Sequence, residues 1–205
     1  MVLPDDRGVS PVVGVMLMLS VTVMIAAVVS AAAGGLSGTS KKAPNAILDV
    51  KIYANQTYGS GAVPTIVIEH VSGNVIPTRD LQIYTYYRTS SGISQGNLSG
   101  IHEVTCGLSS YPALYIKDDD TTRFADLKSA AFGNASANLR PGDILVTPAR
   151  YCAEAGLTNN PSMSGYFFPG IANFAQEFRP GSYAAVKVVH IPSGQVIFSK
   201  DVVIE

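Results

Sequence analysis

Between Arg7 and Lys41 the chain carries no charged residue. The run reads GVSPVVGVMLMLSVTVMIAAVVSAAAGGLSGTS and is apolar almost without a break from Val12 to Leu36. Wound as an α-helix at about 1.5 Å per residue it is about 37 Å long, enough to cross a hydrocarbon core of about 30 Å. The apolar part of a cleavable secretory signal needs only about 7–15 residues. The segment is therefore expected both to direct the chain to a membrane and to stay in the working protein. Ser10 before Pro11 is a helix-start signal: the hydroxyl can cap free backbone N–H groups, and Pro fits a first turn where its missing donor costs nothing. Ala31-Ala32-Ala33-Gly34-Gly35 marks the other end, where helix propensity falls.

Charge lies on the N-terminal side of the apolar run, and a cut at Arg7-Gly8-Val9 would free a mature helix. RGVSPVVGVMLMLSVTVMIAAVVSAAAGG closely resembles the N-terminal segment of archaeal type IV pilins. In that family a prepilin peptidase cuts after the glycine and leaves the whole helix on the subunit. The resemblance implies a cut between Gly8 and Val9, with Arg7 as the preceding basic residue and Ser10-Pro11 opening the mature helix. It implies further copies of the chain, the membrane, the peptidase and a pilus assembly machinery as partners. The location implied is the cell membrane before assembly and a surface filament afterwards.

One departure from the bacterial pilin pattern is plain. Bacterial pilins usually have a glutamate at the fifth mature position, where this chain has Val13. Assembly through a buried charge pair is then not expected, and packing of small and apolar side chains takes its place. Ala26 with Ser30, and Ala27 with Ala31, are small pairs four apart that let helices approach closely, and Gly14 is grouped with them. Three blander readings use the same segment: a signal-anchor helix tethering a surface domain, a secretory signal cut after Ala33, which Ala31-x-Ala33 would satisfy, and a lipoprotein, which the lack of a cysteine near the helix end disfavours.

About 165 residues follow the helix, the size of one domain with an ordinary core. Net charge is −1 and only 14% of residues are charged, with no basic cluster larger than Lys41-Lys42. A nucleic-acid surface is not expected. Gly, Pro, Ser, Thr, Asn and Tyr are plentiful beyond residue 40, the mix of a turn-rich β domain. Cys106 and Cys152 are the two cysteines. On an exported domain they are expected to form one disulfide, closing a loop of about 47 residues for about 4 kcal/mol in the chain-entropy account. Two buried free thiols are the alternative, and the spacing is not that of a zinc site.

The fold expected is α+β: a long N-terminal hydrophobic helix followed by a single antiparallel β-sandwich head. The divisions are residues 1–8 leader, 9–36 assembly or transmembrane helix, 37–44 flexible neck and 45–205 head. Alternation predicts strands at 47–53, with Leu48, Val50 and Ile52 inward, and at 65–70, 81–87, 144–147, 184–191 and 196–204. From 92 to 176 the pattern is less regular, with one helical fragment at 122–132. An internal echo pairs the run from His70 to Ile83 with that from His190 to Ile204, each reading strand, Ser-Gly turn, Val-Ile, basic-Asp, strand. Each half is expected to be a β-hairpin of one design. Arg140-Pro-Gly-Asp143 and Arg179-Pro-Gly-Ser182 are expected to be turns leading into strands. This layout also resembles archaeal pilin heads, more loosely than the N-terminal match.

Candidate chemistry is sparse. His70 and His190 hold equivalent places in the echo, which argues for structural roles such as a ring nitrogen bonded to a turn. His102 stands alone. There is no nucleophile elbow and no phosphate-cradling glycine loop, so neither catalysis nor a cofactor is expected. Asp118-Asp119-Asp120 with Thr121-Thr122 could offer oxygen ligands to calcium, but the run lacks EF-hand spacing and reads rather as a solvated loop, so no metal is assigned. Tyr166-Phe167-Phe168, between Gly165 and Pro169-Gly170, is either cover for one end of the sandwich or an exposed adhesive loop. Asn55, Asn97 and Asn134 open N-glycosylation sequons on stretches read as turns. The function expected is a structural subunit of a type IV pilus-like filament whose head mediates surface contacts and adhesion. The competing expectation is a single-pass anchored β-sandwich binding module that does not polymerise.

Overall fold

The computed structural model describes residues 11–36, 42–58, 61–101, 113–117, 130–147, 163–171 and 174–205. The chain divides into two compact units, Met1–Lys41 and Lys42–Glu205.

The first unit contains α1, Pro11–Leu36. Proline occupies its first turn, as a residue without a donor should. Side chains from Pro11 to Ala32 are all exposed, so the apolar surface runs around the whole circumference. The helix hides its own polar atoms. Ser20 Oγ donates to the Leu17 carbonyl at 2.9 Å and Thr22 Oγ1 to the Leu19 carbonyl at 2.8 Å. Neither hydroxyl then needs water, which suits a helix meant for an apolar medium.

The second unit is β-rich. In chain order its strands are β1 Ala46–Tyr58, β2 Gly61–Gly73, β3 Ile76–Pro77, β4 Leu81–Thr89, β5 Gly92–Ser99, β6 Tyr115–Lys117, β7 Asn138–Leu139, β8 Ile144–Val146, β9 Tyr183–His190 and β10 Gln195–Val203. A 3₁₀ turn, Thr78–Asp80, leads into β4, a π-helical turn spans Met163–Phe167, and a one-turn helix α2 covers Phe174–Glu177. One four-stranded sheet has the order β1-β2-β8-β6, a second has β10-β9-β4-β5, and β3 pairs with β7. Every ladder is antiparallel. The two large sheets meet where β1 passes the C-terminus: Ile52 bridges Ile204 in parallel, and the Ala54 N–H donates to the Glu205 carbonyl at 2.8 Å.

Alternation decides which residues enter the core. Leu48, Val50 and Ile52 from β1 and Ile66 and Ile68 from β2 share one buried cluster with Leu81 and Ile83 from β4 and Val186 and Val188 from β9. Beside them residues 163–171 and 174–178 cover the inward side of β4 and β5. Thr85 Oγ1 donates to the Phe167 carbonyl, and Ser94 Oγ donates to the Pro169 carbonyl at 2.8 Å. Gly96 is required there, because a Cβ would overlap the Phe167 carbonyl. Phe178 centres an aromatic group, with ring centroids 5.1 Å from Tyr87, 5.0 Å from Phe168 and 5.3 Å from Phe174.

Both Pro-Gly turns form. The Asp143 N–H donates to the Arg140 carbonyl at 2.9 Å and the Ser182 N–H to the Arg179 carbonyl at 3.1 Å. Gly142 and Gly181 take φ of +93° and +84°, as the third position of a type II turn demands.

The echo divides. His190 to Val203 is a hairpin, β9–β10, through a turn in which Gly194 has φ +66°. The run from His70 to Ile83 is not a hairpin but a crossover from β2 in the first sheet to β4 in the second. Gly73, at φ +121°, lies against Asn45, where a Cβ would not fit, and the Asn74 N–H donates to the Asn45 carbonyl at 2.8 Å. Thr78 then ties the connection to another segment: its hydroxyl donates to the Ala137 carbonyl at 3.0 Å and accepts from the Gly133 N–H at 3.1 Å. Those contacts carry the chain away from β2 before it can fold back. In the 122–132 stretch, the described residues Ala130 to Phe132 form a turn and a bridge rather than helix.

Candidate assembly helix and surface sites

The apolar surface of α1 is the most distinctive site the molecule offers. Met18 is 71% exposed and Val28 69%. No side chain between Pro11 and Leu36 is ionisable, and Val13, 48% exposed, stands where a glutamate would be needed for a buried charge pair. Ala26, Ala27, Ser30 and Ala31 are exposed near its C-terminal end, and Gly14, near the other, has open space where a Cβ would lie. Residues four apart on a helix lie on one face, so Ala27 with Ala31 and Ala26 with Ser30 make two adjoining shallow strips. Chemically the surface offers dispersion contacts and close approach. The junction Arg7, Gly8 and Val9 lies outside the described residues, as do Cys106, Cys152, His102 and Asp118 to Asp120.

The sequons fall in three settings. Asn55 is exposed on β1 beside a register shift between Tyr53 and Gln56. Asn97 is exposed on β5, the outermost strand of its sheet, and its Oδ1 accepts from Gln82 Nε2 at 3.0 Å. Asn134 is in a turn, where its Oδ1 accepts from the Ser136 N–H at 2.9 Å and from Ser136 Oγ at 2.7 Å. Only Asn134 is in the turn setting expected of all three. The other two lie in strands because sequons are short and say nothing of register.

The two echo histidines part company. His190 Nδ1 is 2.8 Å from Ser193 Oγ, within its own hairpin turn. His70 is fully buried, and neither ring nitrogen has a hydrogen-bond partner among the described residues. Its backbone does the structural work: the His70 N–H donates to the Asp143 carbonyl at 3.0 Å and its carbonyl accepts from the Gly142 N–H at 2.7 Å. Phe167 and Phe168 are buried in the core, so that triplet covers the sheet and is not an exposed loop. A cleft of about 370 Å³ is lined by Arg79, Asp80, Ile101, Gly133, Ala135 and Ile191. It brings together no nucleophile and base, and no three His, Cys, Asp or Glu side chains cluster for a metal among the described residues.

Sequence reasoning overlooked the outward face of the second sheet, where Tyr84 and Tyr86 project opposite to the buried Ile83, Thr85 and Tyr87. The signal was present in the alternation LQIYTYYRT, whose polar phase is aromatic.

Residues 7–48 match the family described as archaeal type IV pilin, N-terminal. The chain is similar to an uncharacterized protein of Archaeoglobus fulgidus, 33% identical over 121 residues that cover 55% of this chain and 81% of the relative. No solved structure matches it. The family match begins at Arg7, takes in all of α1 and ends in β1, so the apolar helix and the entry to the head lie within it. Residues 7–48 of the chain are thus those of an archaeal type IV pilin N-terminal domain.

Proposed function

We propose that the chain is a structural subunit of a type IV pilus-like surface filament, with α1 first a membrane anchor and then part of a fibre core built from copies of itself. The observation that carries this reading is α1, a 26-residue helix whose described side chains are exposed on every side. A helix apolar all round is stable only where no face meets water. Lipid meets that need before assembly, and neighbouring helices meet it afterwards. The family is structural, and membership implies assembly into pilus filaments and association with a membrane.

In this reading a prepilin peptidase cuts between Gly8 and Val9, and an assembly machinery moves the mature subunit from membrane to filament. The head, taken as a two-sheet sandwich, forms the outer surface and makes its contacts, adhesion included. A disulfide between Cys106 and Cys152 and a glycan on one or more sequons belong to the same proposal. The test is the mature N-terminus. Mass spectrometry of sheared filaments should find Val9 first, and Gly8→Phe should leave the precursor in the membrane, longer by residues 1–8, without filaments. A chain that keeps Met1 to Arg7 and leaves detergent as single subunits would be an anchored module instead. A first residue near Gly34 would exclude both.

A further inference from the structure

The second sheet turns one face to the core, and no described residue on its other face is buried. Along that face Tyr84 stands between Asn97 on β5 and Lys187 on β9, Arg88 stands opposite Ile93, and Tyr183 opposite Val203. Ile93 is 69% exposed and Tyr183 65%. Neither Arg88 nor Lys187 has an ion-pair partner among the described residues. Asp201 on β10, in the row of Ala185 and Tyr86, shares this face, which is thus aromatic and apolar with the cations Arg88 and Lys187 against one carboxylate.

On the first sheet one strip of the outward face is acidic, while Lys51 and Lys117 share that face. Asp49 on β1 lies directly opposite Glu69 on β2. Like charges in that position repel across about 5 Å, and a fold keeps them more readily when a cation approaches from outside. Lys51 Nζ, 3.8 Å from Asp49 Oδ2, offsets part of one charge. Lys117 stands in the same cross-strand row but two strands beyond Glu69, about 10 Å away at the usual strand spacing. Glu69 has no ion pair among the described residues. Ile47, 60% exposed, and Val71, 50% exposed, flank the two carboxylates two residues along each strand.

We propose that the open face of the second sheet of one copy docks on the strip formed by Ile47, Asp49, Glu69 and Val71 of the next copy, bringing Arg88 and Lys187 to the opposed carboxylates. The inference rests on the filament reading. Because the two surfaces differ, the contact is heterologous and can repeat from copy to copy, building an open filament where the rotation between copies does not close into a ring. Tyrosine and arginine are the side chains that most often anchor such contacts. The face is about 19 Å wide and about 20 Å long, so the contact covers at most about 400 Å² per partner, half of the about 800 Å² of a stable free complex. Heads alone would not hold together. The contact acts once helix packing has set neighbouring heads at high effective concentration. Asn97 shares the docking face, so a glycan there would keep the surfaces apart, and filament subunits should carry none at that position.

The test compares filament yield from full-length wild type, Arg88→Glu, Glu69→Arg and the double variant, with membrane level and processing at Val9 as controls. Each single change should lower the yield about tenfold, and the double should restore it, since reversal of both partners re-forms the pair. Tyr84→Cys combined with Ile47→Cys should give a ladder of oxidatively linked copies in filaments. Unchanged yield in both single variants, no recovery in the double, linking through Tyr84→Cys alone, or a glycan on Asn97 in filaments would overturn the docking and leave the filament reading standing. Absence of filaments from the wild-type chain would overturn the filament reading and the docking with it.

Discussion

The helix and the head are built from the same apolar residue types and place them against different surroundings. Along β1, Leu48, Val50 and Ile52 are 7%, 5% and 0% exposed while Asp49 and Lys51 between them reach solvent. Along α1, Met16, Leu17, Met18 and Leu19 succeed one another at 60–71% exposure with no buried phase. Each such side chain gains about 1.5–3 kcal/mol when removed from water. The head realises that gain inside itself by alternation. The helix cannot, and in the filament reading its gain comes from lipid or from other copies. Periodicity therefore reports what surrounds a segment as much as what shape it takes.

The sharpest way to break this comparison is to place one charge in each region at a residue that is apolar and exposed in both. Lysine at the centre of a membrane helix costs about 2.5–3.5 kcal/mol on insertion. Leu19→Lys should thus move much of the chain out of the membrane fraction and abolish filaments, measured by fractionation and immunoblotting. Val75 is 53% exposed on the head, so Val75→Lys should change head stability by less than about 0.5 kcal/mol and leave insertion alone. A Leu19→Lys chain that fractionates as wild type would show that α1 needs no apolar surroundings.

A second change should separate the two units from the other side, with an effect confined to the head. Phe178 is 2% exposed and touches the rings of Tyr87, Phe168 and Phe174. Phe178→Ala removes those contacts and leaves a cavity beside β4, which typically costs about 3–5 kcal/mol. Thermal unfolding of the head should shift down accordingly, while membrane insertion through α1 should not change. Loss of insertion in this variant would mean that the two units do not act independently.

What could be read in advance follows the same division. The helical run of α1 was legible because an unbroken apolar stretch without charge is a one-dimensional pattern. So were β1, β4 and β9, whose burial alternates along the strand, and the two Pro-Gly turns, whose chemistry is local, whereas β10 was marked by its run of β-branched and aromatic residues and not by alternation. β5 was not. Its buried phase is Ser94, Gly96 and Leu98, small because the Phe167 and Pro169 carbonyls press on it, so burial alternates where hydrophobicity does not. The His70 to Ile83 crossover was misread because local sequence gave a turn at Ser72-Gly73, while the contacts of Thr78 with Gly133 and Ala137 that redirect the chain are distant in sequence. The candidate sites divide likewise. A processing junction and a stripe of small residues are one-dimensional patterns. The Asp49–Glu69 strip exists only once β1 and β2 are in register.

The finest test asks whether α1 has a neighbour at all. Ala27 and Ala31 share one helix face, and both are exposed in the single chain, so neither limits a larger side chain there. In lipid, Ala27→Leu adds apolar surface to a helix already apolar all round, and insertion and processing should be untouched. In a core of close-packed helices the same change forces an adjacent helix outward, and overpacking of that kind costs about 1–3 kcal/mol at a contact. Because the contact repeats at every subunit, the small penalty recurs along the filament, and sheared-filament yield should fall while the membrane pool of mature subunit rises. Ala31→Leu should behave alike, and the two together should be less than additive, since bulk at either position already separates the same pair of helices. Normal filaments from both single variants would place the close contact on another face of α1, with the Ala26 and Ser30 strip the next to substitute.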